Sequence, residues 1–292
     1  MEAKYISPLT DFGFKKLFGE EANKALLINF LNDLLPIQAK IVDLSFKKNQ
    51  QLGDDLRSRS AVYDIFCQDE KNQQFIVEMQ NARQIYYRDR TVFYSTFPIR
   101  EQGEKGDWNF KLQPVYCVGL LGFCLDDCPS ADEKVLQEYI HTVQLKDQNN
   151  KVFYQKLTYF FVELPQFQKK ESELKTHFEK WLYFLKNLES FDRIPAILNE
   201  EIFQQAFKVA ELAQYTPEQR MAYQSSLKSF RDNINVITTA RIEGEETGLA
   251  QGLAKGRAEG KAEVAKNLLK AEASVETIME VTGFTREEIK PW

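Results

Sequence analysis

AVYDIFCQDEKNQQFIVEMQ, residues 61–80, decides the fold: two short runs of alternating apolar residues separated by a polar segment. In the first run Val62, Asp64 and Phe66 fall on one face of an extended chain, and Tyr63, Ile65 and Cys67 on the other. In the second, Ile76, Glu78 and Gln80 lie opposite Phe75, Val77 and Met79. The polar segment between them, Asp69-Glu70-Lys71-Asn72-Gln73, is turn-prone, so the simplest connection is an antiparallel hairpin. Each run thus carries an acidic residue, Asp64 or Glu78, where the pattern calls for another apolar side chain.

For these two acids to face each other, the numbers of paired residues must sum to 142 and the loop must hold an odd number of residues, or a bulge must shift the register. Opposed residues on such a ladder have Cβ atoms about 4.5–5.5 Å apart, which lets two carboxylates share one divalent cation. Without a cation the half-buried pair repels, and one member tends to keep its proton. A hard, oxygen-seeking ion such as Mg²⁺ removes that conflict, acidifies a bound water and polarises a phosphoryl oxygen. The competing reading of Asp64 and Glu78 is a pair of edge charges open to water.

The surrounding pattern resembles the PD-(D/E)xK nuclease superfamily and, within it, the recombination-promoting nucleases and transposase-related proteins. The likeness runs from SPLTDFGFKKLFG (residues 7–19) through YDIFCQD and FIVEMQ to LQPVYCVGLLGF (112–123), LTYFFVELPQF (157–167) and the glycine-spaced tail. It implies that Asp64 and Glu78 bind Mg²⁺, with Mn²⁺ as an alternative, and that Asp11 on the first helix stands beside the metal. It also implies a phosphate contact from Arg90, within Tyr87-x-x-Arg90-x-x-x-Tyr94. Two positions depart from the superfamily pattern: Gln80 replaces the lysine of E-x-K, and Tyr63 replaces the proline before the first acid. Glutamine carries no charge and exchanges no proton near neutrality, so it can only orient a water or a phosphate oxygen. More of the electrostatic stabilisation then falls to the metal.

Upstream, Thr10 or Asp11 is placed to cap a helix whose apolar stripe is Phe14, Leu17 and Phe18, so Asp11 has a helix-starting reading beside the metal one. Lys15 and Lys16 are read either as phosphate contacts or as solvated charges. Downstream, Arg83, Arg88, Arg90 and Arg100 are interleaved with Tyr86, Tyr87, Phe93, Tyr94 and Phe97. This predicts a helix with its aromatic side on the sheet and Arg83, Arg88 and Arg90 available to DNA, or else paired with Asp89, Glu101 and Glu104.

Residues 23–35 have helical apolar spacing, and Val42, Leu44 and Phe46 alternate as a first strand. Residues 114–123 and 157–164 are continuous apolar runs, expected as strands covered on both faces. The order helix, strand, strand, strand, helix, strand, strand predicts an α/β fold, a restriction-endonuclease-like mixed sheet flanked by helices. An all-helical C-terminal region follows. The expected divisions are 1–168 for the nuclease domain, 169–240 for a helical domain, and 241–292 for a glycine-repeat helix with a helix-turn-helix-like end.

Gly244, Gly248, Gly252, Gly256 and Gly260 recur every four residues. Glycine costs a helix about 1 kcal/mol against alanine, and a period of four drifts slowly around it, giving a small-residue groove suited to close helix crossing. Self-association or a partner helix through residues 244–260 is one reading; a frayed linker is the other. The end segment holds four glutamates against Arg286 and Lys290, which argues against DNA recognition by that piece.

The 292 residues carry 38 Lys and Arg against 43 Asp and Glu, a net charge of −5. That excludes a protein that coats nucleic acid through a general positive field, so DNA contacts must be local and salt-sensitive. Cys67, Cys117, Cys124 and Cys128 lack C-x-x-C spacing and read as thiols of a reducing compartment. His141 and His177 are set aside as catalytic groups. No apolar leader is present, and the run 114–125 is too short to span a bilayer, so a cytoplasmic protein with no membrane partner is expected. The functional expectation is a Mg²⁺-dependent DNA endonuclease acting in DNA recombination. A non-catalytic interaction protein that assembles through its tail, or a ribonuclease using the same site, stays open.

Overall fold

A computed structural model describes residues 3–37, 39–51, 61–103, 106–126 and 139–289. The chain forms two compact units, Met1–Arg231 and Asp232–Trp292.

The first unit is built on a six-stranded mixed sheet. In chain order its elements are α1 (Asp11–Phe18), α2 (Lys24–Leu34), β1 (Leu44–Phe46), β2 (Gln50–Gln51), β3 (Ala61–Val62), β4 (Ile65–Asp69), β5 (Gln74–Gln80), α3 (Tyr87–Arg100), β6 (Val115–Leu121), β7 (Ile140–Lys146), β8 (Val152–Glu163), α4 (His177–Asn187) and α5 (Glu201–Ala210). The spatial order is β1-β4-β5-β6-β8-β7, with β2 and β3 forming a separate two-stranded arm. Strands β5, β6 and β8 run parallel, and the remaining pairs are antiparallel. Apolar side chains cover both faces of the parallel strands, which explains their unbroken hydrophobic sequence.

On one face Phe75, Val77 and Met79 of β5 join α1, α2, α4 and α5 in the main core. Trp181 is its fully buried hub: its ring lies 4.7 Å from Phe203 and 5.7 Å from Phe18, and its Nε1 donates to Asn29 Oδ1 at 2.8 Å. Helices from residues 177–210 therefore pack into the same core as the sheet. His177 at the start of α4 ties it to both neighbours, bonding Asp33 of α2 through Nδ1 and Glu200, just before α5, through Nε2 at 2.9 Å. On the opposite face a second core gathers Ile76, Cys117, Tyr159 and Phe161 under Tyr87 and Phe97 of α3.

The hairpin has the expected register. Ile65 pairs with Val77 and Gln68 with Gln74, so paired numbers sum to 142 and an odd number of residues, 69–73, lies between the last paired positions. Asp69 fixes that turn: its Oδ1 accepts from the backbone N–H of Lys71 at 2.9 Å and of Gln73 at 2.8 Å. The face assignment fails at one point. Pairing breaks between β3 and β4, so Tyr63 does not share a face with Ile65; its ring meets Phe66 at 5.3 Å and Tyr94 at 5.6 Å in the second core.

Strand β7 is absent from the sequence reading. It is an edge strand whose residues are half-buried or exposed, and it lacks the apolar alternation that would announce it. The cysteine expectation also needs correction: Cys67 and Cys117 are buried free thiols, whereas Cys124 is disulfide-bonded. Cys128, Glu104 and Lys290 lie outside the described residues.

Helix α6 (Pro217–Lys270) opens on a proline, and the preceding Thr216 accepts the Gln219 N–H at its Oγ1. It leads into the second unit, where α7 (Val275–Thr282) and α8 (Arg286–Ile289) join it around Ala265, Ile278 and Ile289. Gly283, at φ 73°, turns the chain between α7 and α8 in a conformation that favours glycine. Among the described residues no helix is long and apolar enough to cross a membrane.

Candidate active site

The site forms where β5 ends, between α1 and α3. Asp64 occupies the bend between β3 and β4, just before Ile65, whose partner Val77 precedes Glu78 on β5. The bend is held on both sides. Tyr63 donates its backbone N–H to Asn49 O at 2.8 Å and its hydroxyl to Tyr94 O at 2.9 Å, and Asn49 Nδ2 donates to Asp64 O at 2.8 Å. The tyrosine in the usual proline position thus anchors the acid through its ring and hydroxyl.

One carboxylate oxygen of Asp64 is committed: Oδ2 accepts the backbone N–H of Met79 at 2.9 Å, which locks the acid to β5. Its Oδ1 faces Lys15 Nζ at 4.0 Å. Burial raises the Asp64 pKa, the Met79 N–H and Lys15 oppose the rise, and the charge of Asp11 adds to it. Glu78 is more enclosed. Burial, followed by the charge of Asp64, pushes its carboxyl up to about 7, while Arg90 pulls the other way. Glu78 therefore feels the charge of Asp64 in a poorly solvated setting.

Gln80, two residues along the same face, has both ends of its amide engaged. Oε1 accepts from Arg90 Nη2 at 2.7 Å, and Nε2 donates to Ala82 O at 2.9 Å. Arg90 also donates to Gln84 Oε1 at 2.8 Å and stands 3.7 Å from Glu78 Oε2. Its guanidinium lies 5.4 Å from the Tyr87 ring centroid and 5.6 Å from that of Tyr94, so α3 clamps it between two aromatic faces.

Beneath them Gly119 of β6 pairs with Glu78. A Cβ at Gly119 would come within 2.6 Å of the Tyr87 hydroxyl, so this glycine makes room for the ring that supports Arg90. Nothing in the sequence pattern marks that contact, since residues 114–123 read simply as a buried strand.

Helix α1 contributes the outer part. Thr10 is the N-cap, accepting from Gly13 N–H at 3.0 Å, which leaves Asp11 as a helical residue rather than the cap. Asp11 is exposed and bonds Lys15 Nζ at 2.6 Å. Asn81 Nδ2 donates to Leu9 O at 2.6 Å, tying the segment before α1 to the end of β5. A groove of about 620 Å³ opens beside Asp64, lined by Asp11, Lys15 and Asn49 and, across it, by Ser225, Ser226 and Ser229 of α6.

Of the residues singled out in the sequence, Asp64, Glu78, Gln80, Arg90, Lys15 and Asp11 come together. Arg88 does not: it pairs with Asp126 at 2.7 Å, and Arg83 adds its charge near the same acid. Among the described residues no three His, Cys, Asp or Glu side chains stand close enough to enclose a metal, so Asp11 does not complete a three-carboxylate set. Two carboxylates are what the site offers. The charge of Asp64 felt by Glu78, and an Asp64 Oδ1 that accepts no backbone hydrogen bond among the described residues, fit a divalent ion that keeps most of its water, as Mg²⁺ does.

No curated protein and no solved structure matches the chain. A family model does, over residues 8–240, a span that takes in the sheet, both acids and the cores on each face. The chain belongs to the PD-(D/E)XK nuclease family transposases.

Proposed function

We propose that this protein is a divalent-metal-dependent DNA endonuclease, with Asp64 and Glu78 as metal ligands and Mg²⁺ as the ion, replaceable by Mn²⁺. One observation carries the reading: a carboxylate in the β3–β4 bend, locked to β5 through the Met79 N–H, and one on β5 share a setting that lifts Glu78 to about 7, and a cation relieves that conflict. When bound, the ion lowers the pKa of water and neutralises charge on a phosphodiester.

The protein's own groups supply the rest. The Met79 N–H fixes Asp64 so that Oδ1 is the atom available for ligation. Gln80 acts through Arg90: its amide oxygen aims the guanidinium past Glu78, where Arg90 presents its charge to a phosphate oxygen. Lys15 provides a second cation beside Asp64 and, with Arg90, offsets the missing lysine of the third motif. Asp11 holds Lys15 in place from the outside. Arg83 and Arg88, grouped near Asp126, are assigned at most a remote backbone contact. The five glycines of residues 244–260 face open space, where an added Cβ meets nothing. Self-association through that stripe belongs to the proposal and is read by sedimentation of the full chain.

The test is plasmid cleavage by the purified full chain with Mg²⁺ or Mn²⁺, beside Asp64→Asn and Glu78→Gln. The wild type should nick, and each variant should fall at least about a hundredfold, on the scale of losing transition-state stabilisation of several kcal/mol. Matched DNA and RNA substrates distinguish this reading from a ribonuclease using the same site. A wild type inactive with every metal, in a protein that assembles through α6, would favour the interaction-protein reading.

A further inference from the structure

Residues Tyr86, Arg90 and Phe93 are spaced by four and three, so they form one stripe along α3, beginning at its N-cap Tyr86. The middle member reaches Gln80 and Glu78. The outer two are aromatic and open to solvent, Tyr86 at 73% and Phe93 at 43%. Their neighbours Tyr87 and Phe97 are buried, so the core of this face is already filled without them. Phe93 is held edge-on against Phe97, with centroids 5.2 Å apart, which fixes its ring while leaving much of it uncovered.

The charge pattern makes a grip on a duplex backbone weak. The chain carries −5 overall, Arg88 is paired with Asp126 and Lys15 with Asp11, and Arg90 has Glu78 3.7 Å away. In a duplex the base faces are already stacked on one another and offer nothing to a protruding ring. An unpaired strand offers a π face at each base, and stacking needs no net positive charge. From Tyr86 to Phe93 is about 10 Å along the helix axis at about 1.5 Å per residue.

We propose that the substrate is DNA with an unpaired segment, and that Tyr86 and Phe93 are stacking platforms for its bases on either side of the phosphate held at Arg90. The inference rests on the nuclease reading for its placement. Its binding consequence can be measured without cleavage.

The experiment uses the full chain carrying Glu78→Gln, so that DNA stays intact, with Mg²⁺ present. Fluorescence anisotropy compares a labelled 15-nucleotide single strand with the duplex of the same sequence, and 2-aminopurine in the single strand reports stacking. The single strand should bind more tightly, with quenched 2-aminopurine. Tyr86→Ala with Phe93→Ala should weaken it at least about tenfold and relieve the quenching, while Tyr86→Trp retains both. Duplex binding should change little. Tyr86→Ala alone serves as the fold-safe variant, because its ring is mostly solvated.

Tighter duplex binding, or single-strand affinity and quenching unmoved by the alanines, overturns the proposal. So does a change in oligomer mass in the alanine variants with DNA binding intact. Plasmid nicking by the wild type despite that result would leave the nuclease reading standing. Loss of single-strand binding in the alanine variants of a protein that never nicks would leave the stacking surface standing alone.

Discussion

Glu78 carries the strongest prediction at the residue scale. Its carboxyl holds a proton to about pH 7 in the fold, whereas an unfolded glutamate releases it near 4.5. Between those values the folded state binds the extra proton, so stability of the metal-free protein falls as pH rises through that window and levels off above it. At about 1.4 kcal/mol per unit the loss is about 3 kcal/mol. Denaturant melts of the metal-free chain at pH 5, 6, 7 and 8 should show this decline, and Glu78→Gln should flatten it; an equal slope in the variant contradicts the assignment. Gly119→Ala is a second case. Its methyl would meet the Tyr87 hydroxyl at 2.6 Å and Phe161 at 3.1 Å, so a loss of about 1–3 kcal/mol is expected, together with reduced cleavage as the support under Arg90 shifts. Full stability in the alanine variant would mean that Tyr87 can move freely. At this scale the sequence disclosed the parity of β5, because Phe75, Val77 and Met79 alternate strictly with Ile76, Glu78 and Gln80. It concealed Tyr63, whose face is set by a break in pairing that no alternation records.

The elements differ in how openly they are written. Helices α1 and α2 and strands β5 and β6 have dense apolar patterns with caps or turns at their ends, and they stand where those patterns put them. Strand β7 was illegible because edge strands bury little, and Val143 and Leu145 remain about half exposed. The 54-residue α6 yields a test of its own. Within one chain, added methyls at Gly248 and Gly252 meet open space, so if a second copy packs on the stripe the double alanine variant should lose mass in sedimentation of the full chain. Circular dichroism melts record the stability beside it. A gain of about 1 kcal/mol of helix stability per site with the mass unchanged would instead mean that no second helix covers the stripe. Trp181→Ala, in the fully buried hub of α4, should cost about 3–5 kcal/mol in denaturant melts.

For the whole molecule, composition was informative about mechanism and silent about geometry. A net charge of −5 requires that nucleic acid be held by a few local contacts, and the cations near the site, Lys15 and Arg90, each have a carboxylate neighbour in Asp11 and Glu78. With about two or three phosphates neutralised, the logarithm of single-strand affinity should fall against the logarithm of salt with a slope of only about −2, at about −0.7 per phosphate. Anisotropy titrations between low and moderate salt would show a slope several times steeper if a broad basic surface did the binding. The order of strands around the sheet could not be read from the chain, since the crossover that sets β6 beside both β5 and β8 depends on packing of distant segments.

The account depends on a divalent ion being shared by Asp64 and Glu78, and a calorimetric Mn²⁺ titration of the wild-type chain and both single variants at pH 6.5 and 8 tests this most directly. The expected result is one saturable site, with proton release at pH 6.5 that fades at pH 8 as Glu78 becomes ionised beforehand, and loss of the site in Asp64→Asn and Glu78→Gln. A site that survives both substitutions, or a wild type that takes up no ion, would contradict it.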